Sequence, residues 1–361
     1  MSYLEWAEAR NILVMRLDNI GDVIMTSPAL RAVKENLPHC RLTLMASPGG
    51  AQAASLLPWV DEVLPWRVLW QDLGKLEFNP TREWELVTTL QNRAFDAVII
   101  FTSFSQSPHP AGLVGMLAGI PLRLGDSKEV GGVLTTEIAA AADEMHQVER
   151  NLRLIESVGL QVGDRSLTIQ IPENAQHTAM NYLQKQGLDP TSPYLLWNPW
   201  TSCPSRNYDP ARFGAATKQL AEITGWPVVV TGVAKDRDRS EPLLAALGSY
   251  GIDLIGATSL SEMAALVAAA QLVLTNNTST LHLADATRTP SVILFAGTEY
   301  ESQWRPRHGP SRLLRRSTPC SPCYAFTCPY HLECLDIPPE EVVAAGLELL
   351  HHSPVLIRDR R

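Results

Sequence analysis

No apolar run in this chain approaches the ~20 residues needed to cross a bilayer. The first residues, MSYLEWAEARNILVMRL, place acids where a secretory signal would carry basic residues, and their apolar run is only strand-length. A cytoplasmic location is therefore expected. Cysteine is sparse, since six in 361 residues do not make a secreted disulfide scaffold. Positive charge is in deficit: the formal net charge of -8 argues against a nucleic-acid partner, which needs a broad basic face to displace counterions from phosphates. Charged residues make up only 19% against 45% hydrophobic, the balance of a packed chain rather than a disordered one. Neither G-x-G-x-x-G nor G-x-x-x-x-G-K-[ST] occurs, which disfavours a dinucleotide oxidoreductase and a P-loop NTPase. No tandem repeat or low-complexity segment stands out.

What the chain does have is alternation. NILVMRL (11–17), RLTLMAS (41–47) and FDAVIIF (95–101) read as buried strands of a parallel sheet covered on both faces. A helix is expected from about Asp22 to Leu37 and another over 145–158, and this first series closes near Pro172. A second series follows with strands at 193–200, 226–232, 252–257, 271–277 and 290–297, separated by helices such as ARFGAATKQLAEITG and SLSEMAALVAAAQ. Two βα series of similar size predict two doubly wound domains, 1–172 and 173–337, with a cleft between them. A last helix begins at IPPEE, where paired prolines suit a helix start. Residues 338–361 are expected to pack back towards the first domain.

Ligands of open α/β sheets bind beyond the carboxyl ends of the strands, so the loops there are searched for chemistry. RLDNIGD follows the first strand, and its Asp22 can cap a helix, bind a cation or take a proton from a substrate. In NPWTSCPSRNYDPARF, Thr201 and Ser202 offer hydroxyl and backbone N–H donors, and Arg206 offers a guanidinium fork that matches phosphate. In TNNTSTLHLA, Asn277, Thr278 and Ser279 stand at a helix N-terminus whose free N–H groups favour an anion. Two anion sites on one cleft suggest a diphosphate, although Ser and Thr before a helix are often only caps. His282 on an apolar helix face is equally readable as a packed core residue. Asp236 can bond a nucleotide ribose or simply be a solvated charge. The basic run RPRHGPSRLLRRS is either solvated surface or a ligand contact.

Cys320, Cys323, Cys328 and Cys334 are spaced C-x2-C-x4-C-x5-C. Three readings stay open for them: structural zinc held as thiolates, a redox-labile pair, or inert packing.

Four ordered segments resemble glycosyltransferase family 9, the lipopolysaccharide heptosyltransferase family, from end to end. RLDNIGDVIMTSPALRAVKE is similar to its opening motif and NPWTSCPSRNYDPARFGAATKQLA to its diphosphate-contacting segment. SLSEMAALVAAAQLVLTNNTSTLHLADATRTPSVILFAG resembles its donor-binding signature, and CSPCYAFTCPYHLECLDIPPEEV a cysteine-bearing tail. The resemblance implies a GT-B fold, with two Rossmann-like domains facing a central cleft, acceptor on the first and nucleotide-sugar on the second. It implies inverting transfer of heptose from ADP-heptose onto the lipopolysaccharide core, with no obligatory metal, at the cytoplasmic face of the inner membrane.

By position, the resemblance makes Asp22 the general base and Thr201, Ser202, Arg206, Thr278 and Ser279 the diphosphate contacts. Asn277 and His282 fall to the donor sugar, and Asp236 to the ribose. Arg16 and Arg123 are candidates for a phosphate-rich acceptor. Three positions depart from the family's common pattern: Arg206 stands for a lysine, Asn277 for an acid, and Ser279 for a glycine that lets backbone approach the diphosphate. The departures at 277 and 279 motivate one alternative, transfer of another nucleotide-activated sugar. A second, a catalytically silent nucleotide- or glycan-binding homologue, is opposed by the retention of Asp22 and of Thr201, Ser202 and Arg206.

Overall fold

Two parallel sheets of six strands carry the fold, one in each of two units, Met1–Gln170 and Ile171–Arg361. The computed structural model describes residues 3–72, 75–127, 129 and 131–351. The first sheet contains β1 (Asn11–Arg16), β2 (Arg41–Ala46), β3 (Glu62–Pro65), β4 (Ala97–Ile100), β5 (Leu122–Ser127) and β6 (Thr136–Ala139). The second contains β7 (Leu195–Asn198), β8 (Val228–Val230), β9 (Gly251–Asp253), β10 (Leu272–Asn276), β11 (Ser291–Leu294) and β12 (Ser311–Leu314). Their orders are β3-β2-β1-β4-β5-β6 and β12-β11-β10-β7-β8-β9. Counted from its own first strand, each unit therefore reads 3-2-1-4-5-6, the doubly wound order, with its switch point between β1 and β4 or between β7 and β10.

Helices cover the sheets: α1 (Tyr3–Ala7), α2 (Ile20–Ile24), α3 (Ser27–Asn36), α4 (Pro80–Asn92), α5 (His109–Leu117) and α6 (Gln147–Ser157) in the first unit. The second has α7 (Glu173–Lys185), α8 (Pro210–Thr224), α9 (Arg237–Leu247), α10 (Leu260–Ala269), α11 (Ser279–Thr287), α12 (Glu301–Trp304) and α13 (Pro339–His351). Because helices lie on both faces, the central strands are apolar without alternation: Leu13, Val14, Met15, Val98 and Ile99 are fully buried, as are Leu195, Trp197, Leu272 and Leu274.

The helix expected over 22–37 is two helices. Pro28 has no N–H to give residue 24 and its ring would clash with that carbonyl, so α2 ends at Ile24 and α3 starts afresh at Ser27. Thr26 closes the break, its hydroxyl donating to Val23 O at 2.6 Å. Elsewhere the ends follow local chemistry. Asp209 caps α8 by accepting from Arg212 N at 2.8 Å, and Gly225 ends it at φ +72°, a left-handed conformation that a side chain would strain.

The C-terminal helix, expected to turn back towards the first domain, is built into the second. Val342, Val343, Leu349 and Leu350 of α13 join Phe213 and Leu220 of α8 in that unit's core. Residues 352–361 of that expected segment lie outside the described residues. The basic run at 305–317 contains the edge strand β12, and two of its charges are paired with α13. Arg312 bonds Glu348, and Arg316 bonds Glu341, both on α13.

Candidate functional site

In the first unit the carboxyl end of β1 delivers Arg16 into the interior, where it is 0% exposed. Its Nη2 lies 2.9 Å from Asp22 Oδ1 and its Nε lies 3.0 Å from Asp18 Oδ2. Asp22 is the third residue of α2, and its Oδ2 accepts from the Asn19 backbone N–H at 3.1 Å. Asn19, not Asp22, is the N-cap, and Asp22 reaches back to it in the manner of a capping-box acid. Its other oxygen faces Arg16, so the carboxylate is oriented from two sides.

The loop after β4 completes the cluster. Ser103 Oγ accepts from Arg16 Nη2 at 2.9 Å, and the Gln106 amide donates to Asp18. This loop is fixed from beneath by a buried network: Asp126 accepts from Thr102 Oγ1 and Arg150 Nη1, each at 3.1 Å, while Gln147 donates to Thr102 O at 3.0 Å. Both strands that flank the switch point thus contribute side chains. Arg123 does not join them. It stands at the amino end of β5, donating to Val133 O at 2.5 Å and to Ile120 O, and burial lowers its pKa.

In the second unit the corresponding ends are those of β7 and β10. Asn276 ties them together, its Nδ2 donating to Pro199 O at 2.7 Å and its Oδ1 accepting from Tyr208 N at 3.1 Å. Asn277 follows, buried, with Oδ1 accepting from Ala296 N at 3.1 Å. That bond fixes the amide's orientation and leaves Nδ2 buried without a partner among the described residues. Thr278 is the N-cap of α11, extended at φ -145°, with no side-chain bond to the helix it precedes. Ser279 opens α11, and His282 lies buried one turn on.

Thr201 is buried in the loop after β7: its hydroxyl donates to Cys203 O at 2.7 Å and its N–H donates to Asn207 Oδ1 at 2.8 Å. Ser202 beside it is exposed. Arg206 reaches the loop after β11, with Nε donating to Thr298 Oγ1 at 3.1 Å and Nη2 lying 2.7 Å from Glu299 Oε1. Asp236 is buried rather than solvated. It pairs with Arg239 at 2.7 Å, whose guanidinium lies over the Trp200 ring at 4.0 Å.

All four C-terminal cysteines line a single cavity of about 370 Å³, together with Ser205 and Thr298. Burial pushes the Cys334 thiol up, and the nearby thiols of Cys328, Cys320 and Cys323 push it further. Among the described residues, no three His, Cys, Asp or Glu side chains stand in metal-binding geometry. The cysteine segment is bonded to the loops after β7 and β11. Ser205 N donates to Phe326 O at 3.1 Å, Cys323 N to Gly297 O at 3.1 Å, and Tyr324 N to Thr298 O at 3.0 Å.

Sequence reading missed Asp18, Ser103, Gln106, Asn276, Thr298 and Glu299. Asp18 and Asn276 lay inside segments already singled out. Thr298 and Glu299 follow a predicted strand, but their loop was not among the three singled out.

The family model for glycosyltransferase family 9 (heptosyltransferase) matches residues 83–333. Lipopolysaccharide heptosyltransferase 1 of Pseudomonas aeruginosa is 26% identical over 328 residues, 88% of this chain and 87% of its own. Lipopolysaccharide heptosyltransferase 2 of Escherichia coli is 25% identical over 354 residues, 92% and 96% of the two chains. The solved structure of E. coli ADP-heptose LPS heptosyltransferase II superposes with a TM-score of 0.74 at 23% identity, covering 94% of this chain and 98% of that one. The fold is GT-B, two Rossmann-like units each wound in the same order. With the family model spanning most of its length, this chain belongs to glycosyltransferase family 9.

Proposed function

We propose that this glycosyltransferase transfers heptose from ADP-heptose, with inversion, to a lipopolysaccharide core or related glycan. The observation that carries the reading is the Asp22 carboxylate, presented at the carboxyl end of β1 and oriented by buried Arg16 on one oxygen and by the Asn19 N–H on the other. In the reaction the acceptor O–H bond breaks and Asp22 takes the proton. The freed oxygen pair forms the new bond to the anomeric carbon. The bond from that carbon to the diphosphate breaks, and its electrons leave with ADP.

The departing charge is met in the second unit. Ser202, Arg206, Thr278 and Ser279 present N–H, hydroxyl and guanidinium donors for a diphosphate, and Thr201, whose own hydroxyl and N–H are held by Cys203 and Asn207, fixes the loop that carries the first two. Asn277, whose Nδ2 is a buried donor lacking a partner, and His282 are assigned to the sugar. Asp236, held by Arg239 beside Trp200, is assigned to the ribose. ADP-heptose as donor is supported by the heptosyltransferases this chain resembles. Arg16 acts on the acceptor side through Asp22.

A structural zinc on Cys320, Cys323, Cys328 and Cys334 belongs to the same reading. Four thiols gathered in one cavity support it, although no three of them stand at ligand distances here. Transfer itself needs no metal. Peripheral contact with the cytoplasmic face of the inner membrane is supported by exposed Trp84 on α4 and Leu113, Met116 and Leu117 on α5. Failure to cosediment with anionic vesicles would count against that contact. Among the described residues no helix is long and apolar enough to cross a membrane.

A donor screen tests the whole, with isotopic transfer and thermal shift measured across ADP-, UDP- and GDP-sugars. Preference for ADP-heptose is expected, and response to UDP-sugars alone would end the heptosyltransferase reading. A second reading, another nucleotide-activated sugar, is favoured by Asn277, because an amide offers the sugar a donor where the family usually offers a carboxylate.

A further inference from the structure

Two carboxylates share one buried cation at the end of β1, and proton transfer uses one of them. Arg16 lies 3.0 Å from Asp18 through Nε and 2.9 Å from Asp22 through Nη2, with its own side chain 0% exposed. Asp18 is held on both oxygens. Its Oδ2 meets Arg16 Nε as an ion pair without hydrogen-bond geometry. The Gln106 amide donates to its Oδ1, and Gln106 is itself fixed by accepting from Ser103 N at 2.8 Å. The Asp18 carbonyl accepts from Ser47 Oγ at 2.6 Å, which anchors the residue to the loop after β2. Three post-strand loops therefore converge on a residue to which no role has been assigned.

The charges explain what it does. With both acids ionised the cluster carries one net negative charge. When Asp22 accepts a proton, Arg16 and Asp18 remain as a neutral pair. Without Asp18, protonating Asp22 would strand a guanidinium in the protein interior with no counter-ion, a costly state. Asp22 would then hold on to its own charge and take a proton poorly.

We propose that Asp18 is the standing counter-ion of Arg16, which lets Asp22 receive the acceptor's proton without leaving a buried cation unpaired. This rests on Asp22 being the base. Asp18 touches no reacting atom in this scheme and acts through Arg16. Burial raises Asp18 from the usual carboxylate range and the Asp22 charge raises it further, while Arg16 and the Gln106 bond oppose them and favour its charged form. The charged groups facing Asp22 are Arg16 from β1 and Asp18 from the loop beyond it, and Ser103 and Gln106 from the loop after β4 are neutral.

The test is the pH profile of sugar transfer by Asp18→Asn, which keeps the shape and the acceptor oxygen but removes the charge. Losing a negative neighbour lowers the proton affinity of Asp22, so the acid limb of kcat/KM should move to lower pH by about one unit. The weaker base should also lower the plateau by roughly 3- to 10-fold. ADP affinity, read by thermal shift, should not change. Asp18→Glu keeps the charge and should hold the limb at its wild-type position. A limb unmoved in Asp18→Asn, or displaced as far in Asp18→Glu, overturns the proposal, and the second measurement stands even where the neutral variant does not fold. Asp22→Asn separates the two claims. If it abolishes transfer while Asp18→Asn leaves the limb in place, the Asp18 proposal alone fails. If Asp22→Asn turns over normally, the base assignment fails first.

Discussion

Arg206 and Glu299 form a 2.7 Å ion pair that joins the loop after β7 to the loop after β11. The pair is mostly buried, with side chains 27% and 18% exposed, and Arg206 Nε is also occupied by Thr298 Oγ1. The guanidinium is thus held in one orientation before any donor arrives, which is what preorganised stabilisation of a leaving group requires.

Arg206→Ala should therefore weaken donor binding and slow transfer by about 10²–10³, the usual cost of losing one such group. Arg206→Lys should be milder, because the charge survives, but a lysine has no fork to span Thr298 and Glu299 together. Isotopic transfer rates and ADP affinity check both variants. Near wild-type turnover in Arg206→Ala would place the diphosphate elsewhere.

Asn277→Asp removes the buried Nδ2 donor and keeps an oxygen for Ala296 N. Where the donor is ADP-heptose, restoring the family's usual acid should preserve or improve its use. Where the site is tuned to another sugar, activity with the native donor should fall. Competition between donors on wild type and variant distinguishes these outcomes. Identical behaviour of the two proteins would mean that residue 277 does not touch the sugar.

The central strands were legible because burial on both faces leaves uninterrupted apolar runs such as LVLTN and NILVMR. The edge strand β9 was legible too, from the segment 252–257, but the outer strands β3, β6 and β12 were not. β12 is SRLL inside a basic run, and β6 is TEIA, half-buried and alternating, so neither has a run to read. The break at Pro28 was visible in the sequence and was overridden by the apolar pattern around it. For the site, the carboxyl-end rule found the loops that carry Asp22, Thr201, Arg206 and Asn277. It could not find their partners, because Arg16 meets Ser103, and Arg206 meets Glu299, only when distant strands become neighbours in the sheet. Asp236 differs, because its charge is buried against Arg239 only three residues on, a local pair whose burial the sequence does not announce.

The cysteine cavity yields to metal analysis. If the four thiols close on zinc, protein purified without chelator should carry close to one per chain, lost together with thermal stability in Cys320→Ser and Cys328→Ser. Because the cysteine segment is bonded to Ser205 and Thr298, metal loss should also weaken ADP binding, although neither cysteine contacts the donor. Fully reduced, active protein without metal would eliminate the site.

Asp22→Asn separates structure from chemistry. As a helix-start residue Asp22 needs only an oxygen for the Asn19 N–H, and an amide supplies one. The substitution also leaves Arg16 its ion pair with Asp18, so no buried cation is orphaned. Stability should therefore change little. An amide cannot take the acceptor's proton, and a general base of this kind contributes about 10²–10⁴ in rate. Transfer should collapse while ADP affinity, which the proposed function assigns to the second unit, stays near wild type. A melting curve, an ADP titration and a transfer assay on the same preparation decide the matter. If Asp22→Asn is folded, binds ADP and turns over at the wild-type rate, Asp22 is a helix-start residue and the base must be sought elsewhere.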